Sequence, residues 1–252
     1  MKKEIKSLFA DRTILLYNIV FLAVIMIYDV LYIVFPDIFA FKIMASALFF
    51  ACGLFNYLLL RNEHGLDSKS NRFAICMVVG LAFAFAGDVA INLIFALGAG
   101  LFAIGHIWFF IAYLQLSKIN WRDAIIFAIV FGISLCVILL YPNFDFKGMF
   151  PVIIGYALII SAMLSKSISN IFDKKLTPFV KYYIFVGSML FFLSDMCLLF
   201  RNFGGMSRLF SVFCLGLYYP AEIILATSIY YGVKSMIIAP QHQQSASIIE
   251  GE

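Results

Sequence analysis

With 252 residues, 64% of them hydrophobic and 13% charged, at a mean hydropathy of +1.01, the chain is not a soluble globule; soluble domains run near ~45–50% apolar and ~25% charged. Its net charge of +4 is spread over short polar breaks between apolar runs, which excludes a nucleic-acid-binding surface. A membrane span takes about 20 apolar residues, so there is room for about eight spans and no separate soluble domain.

Eight apolar segments separate at charged or Pro/Gly-containing breaks, at about 14–35, 38–60, 73–96, 97–116, 124–141, 149–165, 182–200 and 209–233. The opening MKKEIKSLFADRT resembles a signal-peptide n-region, but the run after it is long enough to span and lacks a small-residue cleavage pattern, so it reads as an uncleaved first span. The polar stretches 61–72 and 166–181 read as loops outside the bilayer. The tail 241–252 reads as disordered, which leaves 1–240 as a single eight-span membrane domain. Cys52, Cys76, Cys136, Cys197 and Cys214 all fall inside apolar runs with no CxxC and no Cys/His pairing, the pattern of buried small hydrophobes rather than a metal or disulfide framework.

Charge distribution orients the expected all-α polytopic bundle. With the N-terminus inside, 14 of the 18 lysines and arginines fall on the inner side. Lys147, Arg201 and Arg208 fall on the outer side, and Lys42 lies within a span. The positive-inside rule then places both termini in the cytoplasm. The chain is expected to be a multi-pass protein of the cell membrane, or of the inner membrane in a prokaryote.

The stretch 80–106, GLAFAFAGDVAINLIFALGAGLFAIGH, is almost wholly apolar yet carries Asp88 and His106. It is too long for one span and reads as a helix hairpin, broken at Gly98-Ala99-Gly100. The pattern Gly98, Gly100, Gly105 allows close helix approach. A second stretch, GSMLFFLSD from Gly187 to Asp195, echoes it: each Asp follows a Gly by eight residues. The two Asp-bearing spans run the same way and each is followed by a return span, as two parallel four-span halves would be.

The topology gives a common depth. Asp29, Asp88 and Asp195 come late in spans leaving the cytoplasm. Lys42, His106 and Tyr156 come early in returning spans, and Tyr218, Tyr219 and Glu222 lie mid-span. All fall between the bilayer centre and the outer interface, as the lining of one cavity would. Ionisable residues inside a membrane are costly and mark sites by default. Each has a plainer reading: Asp88 and Asp195 as interhelical hydrogen-bonding groups, His106 as a packed core residue, Lys42 as a snorkelling side chain, whose functional reading is counter-ion to the Asp pair, phosphate ligand or partner of Asp29, and Tyr218 and Tyr219 as interface aromatics. The 29 Phe read as lipid-facing bulk. The functional reading takes the carboxyls as a pair with separated protonation states, one a proton donor and the other a base or charge stabiliser.

The segments GLAFAFAGD88, FAIGH106IWFFIAY, GSMLFFLSD195MCLLF and YY219PAEIILATSIYY resemble the YhhN family of lysoplasmalogenase-like integral membrane proteins. Family members typically carry a Gly-Asp and a Ser-Asp in apolar runs, a His after the first, a Lys-Pro pair in an early span, and Tyr-Tyr-x-x-Gln near the end. Here Phe41-Lys42-Ile43 keeps the Lys without the Pro, and Glu222 stands where Gln is usual. The resemblance implies hydrolysis of the vinyl-ether bond of a lysoplasmalogen or related lysolipid, with no metal or cofactor. Asp88, Asp195 and His106 would be catalytic, with Asp88 the acid. Lys42, Tyr156, Tyr218, Tyr219, Glu222 and Asp29 would bind substrate. The alternative is a proton-coupled transporter, which would also use paired carboxyls; the broken helices such proteins favour are not evident, since only Pro220 falls within a span at site depth.

Overall fold

A computed structural model describes residues 12–173 and 176–249, with side chains up to 237 apart from 63–64. The described chain is eight helices: α1 (Arg12–Val34), α2 (Phe39–His64), α3 (Ser68–Ala90), α4 (Phe95–Leu116), α5 (Trp121–Leu140), α6 (Phe150–Ile171), α7 (Pro178–Phe203) and α8 (Arg208–Ile249). Each contains a stretch long and apolar enough to cross a membrane, ending at Ile237 in α8. The tail expected after Pro240 falls outside the described side chains.

Two expected loops are shorter than the charge pattern implies. The stretch 61–72 closes to Gly65-Leu66-Asp67, because Asp67 caps α3 by accepting from the backbone N–H groups of Lys69 and Ser70 at 3.1 and 3.3 Å. The hydrogen bonding from Ser70 and Lys69 holds the Asp67 carboxyl below the ordinary value of 3.8, against the opposing effect of burial. The stretch 166–181 is helical as far as Ile171 and again from Pro178, whose missing N–H suits the first turn of a helix. Nor is Lys166 solvated. It is buried, and its ammonium donates to Asp123 Oδ2 at 3.1 Å and to the Lys118 carbonyl at 3.0 Å.

The hairpin in 80–106 exists, but its turn is Ile91–Ile94 rather than Gly98–Gly100. Asn92 Nδ2 donates to the Asp88 carbonyl at 3.0 Å, satisfying a backbone acceptor where α3 runs out of partners. Gly98 instead lets α4 touch that turn: a Cβ there would lie 2.4 Å from the Ile91 Cα. Gly105 packs on the Gly80 carbonyl, whereas Gly100 faces open space and takes no part in the approach.

Helix packing bears the mark of two halves. The contacts α1–α2, α2–α3, α3–α4 and α2–α8 have counterparts in α5–α6, α6–α7, α7–α8 and α6–α4. Adding four to each helix number in the first half, and subtracting four in the second, exchanges the two sets. Gly80 and Gly187 serve matching contacts, Gly80 against Phe109 of α4 and Gly187 against Ile224 and Leu225 of α8. α1 and α5, the first helix of each half, are the least buried and turn apolar residues such as Leu16, Ile27, Ile125 and Ile133 outward. Only α8 departs from the pattern, packing on α1 and α3 as well.

Lipid is as apolar as the side chains, so packing and interhelical hydrogen bonds hold such a bundle. Asn18 and Asn56 join α1 to α2 at 2.9 Å, Tyr113 and Ser188 join α4 to α7 at 2.8 Å, and Tyr183 and Thr227 join α7 to α8 at 2.8 Å. Bonds of this kind average about 0.6 kcal/mol in a membrane. Cys52 and Cys76 are buried as expected, but Cys136 on α5 is exposed. Phe49, Phe73, Phe102, Phe109 and Phe191 are core rather than lipid-facing.

Candidate active site

Near one end of the bundle each of the two Asp residues sits in a polar cluster. Asp88 on α3 pairs with Lys42 of α2, Nζ to Oδ1 at 2.8 Å. Its other oxygen accepts from Ser46 Oγ of α2 at 2.5 Å and from Tyr219 OH of α8 at 3.0 Å. Lys42 is thus buried and ion-paired with Asp88, neither snorkelling nor paired with Asp29. Asp29, on α1, is buried within electrostatic reach of Asp88, and its Oδ1 has no hydrogen-bond partner.

Asp195 on α7 accepts from Tyr156 OH of α6 at 2.5 Å, again through Oδ2. The Tyr156 oxygen lies 2.9 Å from His106 Nε2 of α4, which is itself 3.5 Å from Asp195 Oδ2. A hydroxyl has one proton; with Tyr156 donating to Asp195, His106 must donate from Nε2. His106 Nδ1 is buried without a partner. The two clusters match under the exchange of halves. Asp88 draws on α2 and α8, and Asp195 on their counterparts α6 and α4. His106 and Tyr219 even stand at the same remove from the starts of their helices, Phe95 and Arg208. The chemistry is not matched: Asp88 has a lysine, Asp195 a tyrosine and a histidine.

One cavity of about 490 Å³ is lined by both carboxyls, together with Lys42, Phe102 and Tyr218. It reaches Arg201, Arg208, Asn92 and Asn202, at the end of the bundle formed by the α1–α2, α3–α4 and α7–α8 connections. A narrower cleft of about 50 Å³, apolar apart from Tyr156 and Asp195, runs between α4, α5, α6 and α7. Ile91, Phe102, Asp195 and Leu198 line both spaces, so polar cavity and apolar cleft meet at Asp195.

Of the residues expected to share a site, Asp88, Asp195, Lys42 and Tyr218 line the cavity and Tyr156 lines the cleft. His106 and Tyr219 stand behind the carboxyls as their partners. Glu222 lines neither space; it is fully buried near both Asp residues, and neither of its oxygens meets hydrogen-bond geometry, though the Tyr218 hydroxyl is close. Sequence reasoning missed Ser46, Phe102, Arg201, Arg208 and Phe191, whose ring packs edge-on against His106 at 4.6 Å. Three of these were within reach. Ser46 lies one turn beyond Lys42, and Phe102 and Phe191 lie one turn before His106 and Asp195, each on the same helix face.

Eight helices long and apolar enough to cross a membrane define a multi-pass integral membrane protein, and the polar cavity walled by two buried carboxyls is its candidate site. The sequence profile of the YhhN family matches residues 37–229, and the chain belongs to that family. Comparison with curated proteins and with solved structures returned no match.

Proposed function

We propose that the protein is a lysoplasmalogenase-like hydrolase of the cell or inner membrane, cleaving the vinyl-ether bond of a lysoplasmalogen or related lysolipid. The observation that carries this reading is the junction at Asp195, where a carboxyl stands between a polar cavity shared with Asp88 and an apolar cleft. The vinyl ether of such a lipid lies at the same kind of junction, between polar head and alkyl chain. At about 50 Å³ the cleft is too narrow for a long chain as it stands, so the chain enters with movement of its walls.

In this reading Asp195 is the acid and Asp88 the carboxylate, the reverse of the expectation from sequence. Asp88 accepts from an ammonium and two hydroxyls and has no proton to offer. Asp195 has no lysine or arginine partner, and its Oδ1 is used by none of these bonds. The Asp195 carboxyl transfers its proton to the vinylic carbon remote from oxygen, and the oxocarbenium ion that forms is stabilised by nearby carboxylate charge. Water adds to the carbon bearing oxygen and gives up a proton, which restores the acid. The hemiacetal then collapses to fatty aldehyde and alcohol. Tyr156 and His106 position Asp195; Lys42, Ser46 and Tyr219 position Asp88.

The test is aldehyde release by purified protein from lysolipids with and without the vinyl ether. In deuterated water the aldehyde is expected to carry deuterium at its α-carbon. Release of no aldehyde from any vinyl-ether lipid would refute the reading. The packing of two like halves also occurs in transporters, and pH-gradient-driven uptake into liposomes without product would favour that alternative.

A further inference from the structure

We propose that the mouth of the cavity is a subsite for an anionic phosphate head group, with Arg201 and Arg208 as its ligands. Both arginines line the cavity that holds Asp88 and Asp195. Arg201 Nε donates to Ser211 Oγ at 2.9 Å and Arg208 Nη2 to the Ile33 carbonyl at 3.0 Å, so both are anchored by neutral groups, and among the described residues neither has a carboxylate partner. The remaining N–H donors of each guanidinium are available for the forked geometry that suits phosphate oxygens. Asn92, Asn202 and Ser211 add neutral polar groups to the same wall.

Two further features set these arginines apart from ordinary surface charge. First, cations are scarce at this end of the bundle. Among the described residues, and besides the buried Lys42, Lys147, Arg201 and Arg208 are the only lysines or arginines at this end, against nine at the other, and two of the three line the cavity. Second, Arg208 opens α8, and a cation at a helix N-terminus is electrostatically unfavourable. Its position there is costly to the helix and raises the positive potential at the mouth.

The same inventory selects among head groups. Among the described residues the only carboxylates lining the cavity are Asp88, already paired with Lys42, and Asp195, which the proposed reaction uses. Asp37 and Asp145, in the neighbouring connections, do not line it, and Asp145 Oδ1 accepts from the Lys147 backbone instead. Among the described residues, none that lines the mouth offers a free counter-charge to an amine. A phosphate monoester or other net-negative head group therefore fits better than phosphocholine or phosphoethanolamine. The rest of the ligand, a lysolipid chain, rests on the reading in the previous section.

The experiment measures binding rather than turnover, using saturated ethers that the enzyme cannot cleave. Full-length protein in detergent is titrated with 1-O-alkyl glycerol 3-phosphate, its phosphocholine analogue, 1-O-alkyl glycerol, glycerol 3-phosphate and inorganic phosphate. The alkyl glycerophosphate is expected to bind about tenfold or more tightly than the alkyl glycerol, with the phosphocholine lipid between them. The variant R201Q/R208Q should erase the difference, R208K should retain part of it, and K147Q, at the same end but off the cavity, should leave it intact. Equal affinity for the phosphorylated and unphosphorylated lipids in the wild type overturns the proposal, and so does an equal loss in K147Q. Inorganic phosphate binding as tightly as the lipid would overturn the head-group assignment in favour of a free-phosphate site. Aldehyde release without this contrast defeats the subsite alone; the contrast without aldehyde release defeats the hydrolase alone.

Discussion

Lys42 and Asp88 form a buried ion pair at 2.8 Å, and Asp195, the counterpart of Asp88 in the other half, has no such cation. Two carboxyls in like surroundings would compete for the same role. The lysine breaks that equivalence, and the proposed mechanism uses the difference, with Asp88 as the carboxylate and Asp195 as the acid. The pair is also structural, since removing one partner from a buried ion pair is destabilising by about 3–5 kcal/mol. Lys42→Met is therefore expected to lower the thermal midpoint of the purified protein sharply. Lys42→Met combined with Asp88→Asn should recover part of that loss, because no unpaired charge remains. A double variant less stable than Lys42→Met would show that the pair is not what holds this region.

Asp88→Asn and Asp195→Asn are each expected to reduce aldehyde release by about 10²–10⁴-fold, the usual reach of acid–base catalysis. Binding of the saturated ether should survive in both. His106→Ala and Tyr156→Phe act through Asp195 rather than on substrate, and should cost less than Asp195→Asn while shifting the alkaline limb of the pH–rate profile, where a general acid loses its proton. Near wild-type turnover in both Asn variants would make the carboxyls structural and the mechanism wrong.

The charge bias of the connections carries a topological prediction. Reporter fusions after residues 118 and 175 should read cytoplasmic, and one after Gly148 external. A cytoplasmic signal at Gly148 would invert the bundle and turn the cavity mouth to the other leaflet.

At the α2–α3 connection, Asp67→Ala should remove about 1 kcal/mol of stability, the usual worth of an N-cap. Because folding lowers the Asp67 pKa, the contribution is complete above the ordinary value of 3.8 and fades as pH falls through the lower folded value. The wild type and Asp67→Ala should thus converge in thermal midpoint at strongly acid pH. A gap that persists there would mean the capping charge is not its source.

Span number, the apolar class of the fold and the Asp-bearing helices were all readable from residue order, because a bilayer demands long apolar runs and makes each buried charge conspicuous. The echo of Gly80–Asp88 in Gly187–Asp195 was readable too, since close helix approach and a carboxyl at one depth leave local patterns. Tertiary structure decided what those groups touch. Gly98 looked like a turn, yet serves helix contact, because glycine answers both needs and only the position of Ile91 tells them apart. Lys166 looked solvated, yet folds back to Asp123, since a long side chain is free to choose between water and a buried partner. Lys42 had two candidate carboxyls on neighbouring helices, and only the crossing of α2 with α3 and α8 brought it to Asp88. Arg201 and Arg208 passed as loop charges, because a cavity formed by six separate helix ends leaves no periodic trace in any one of them.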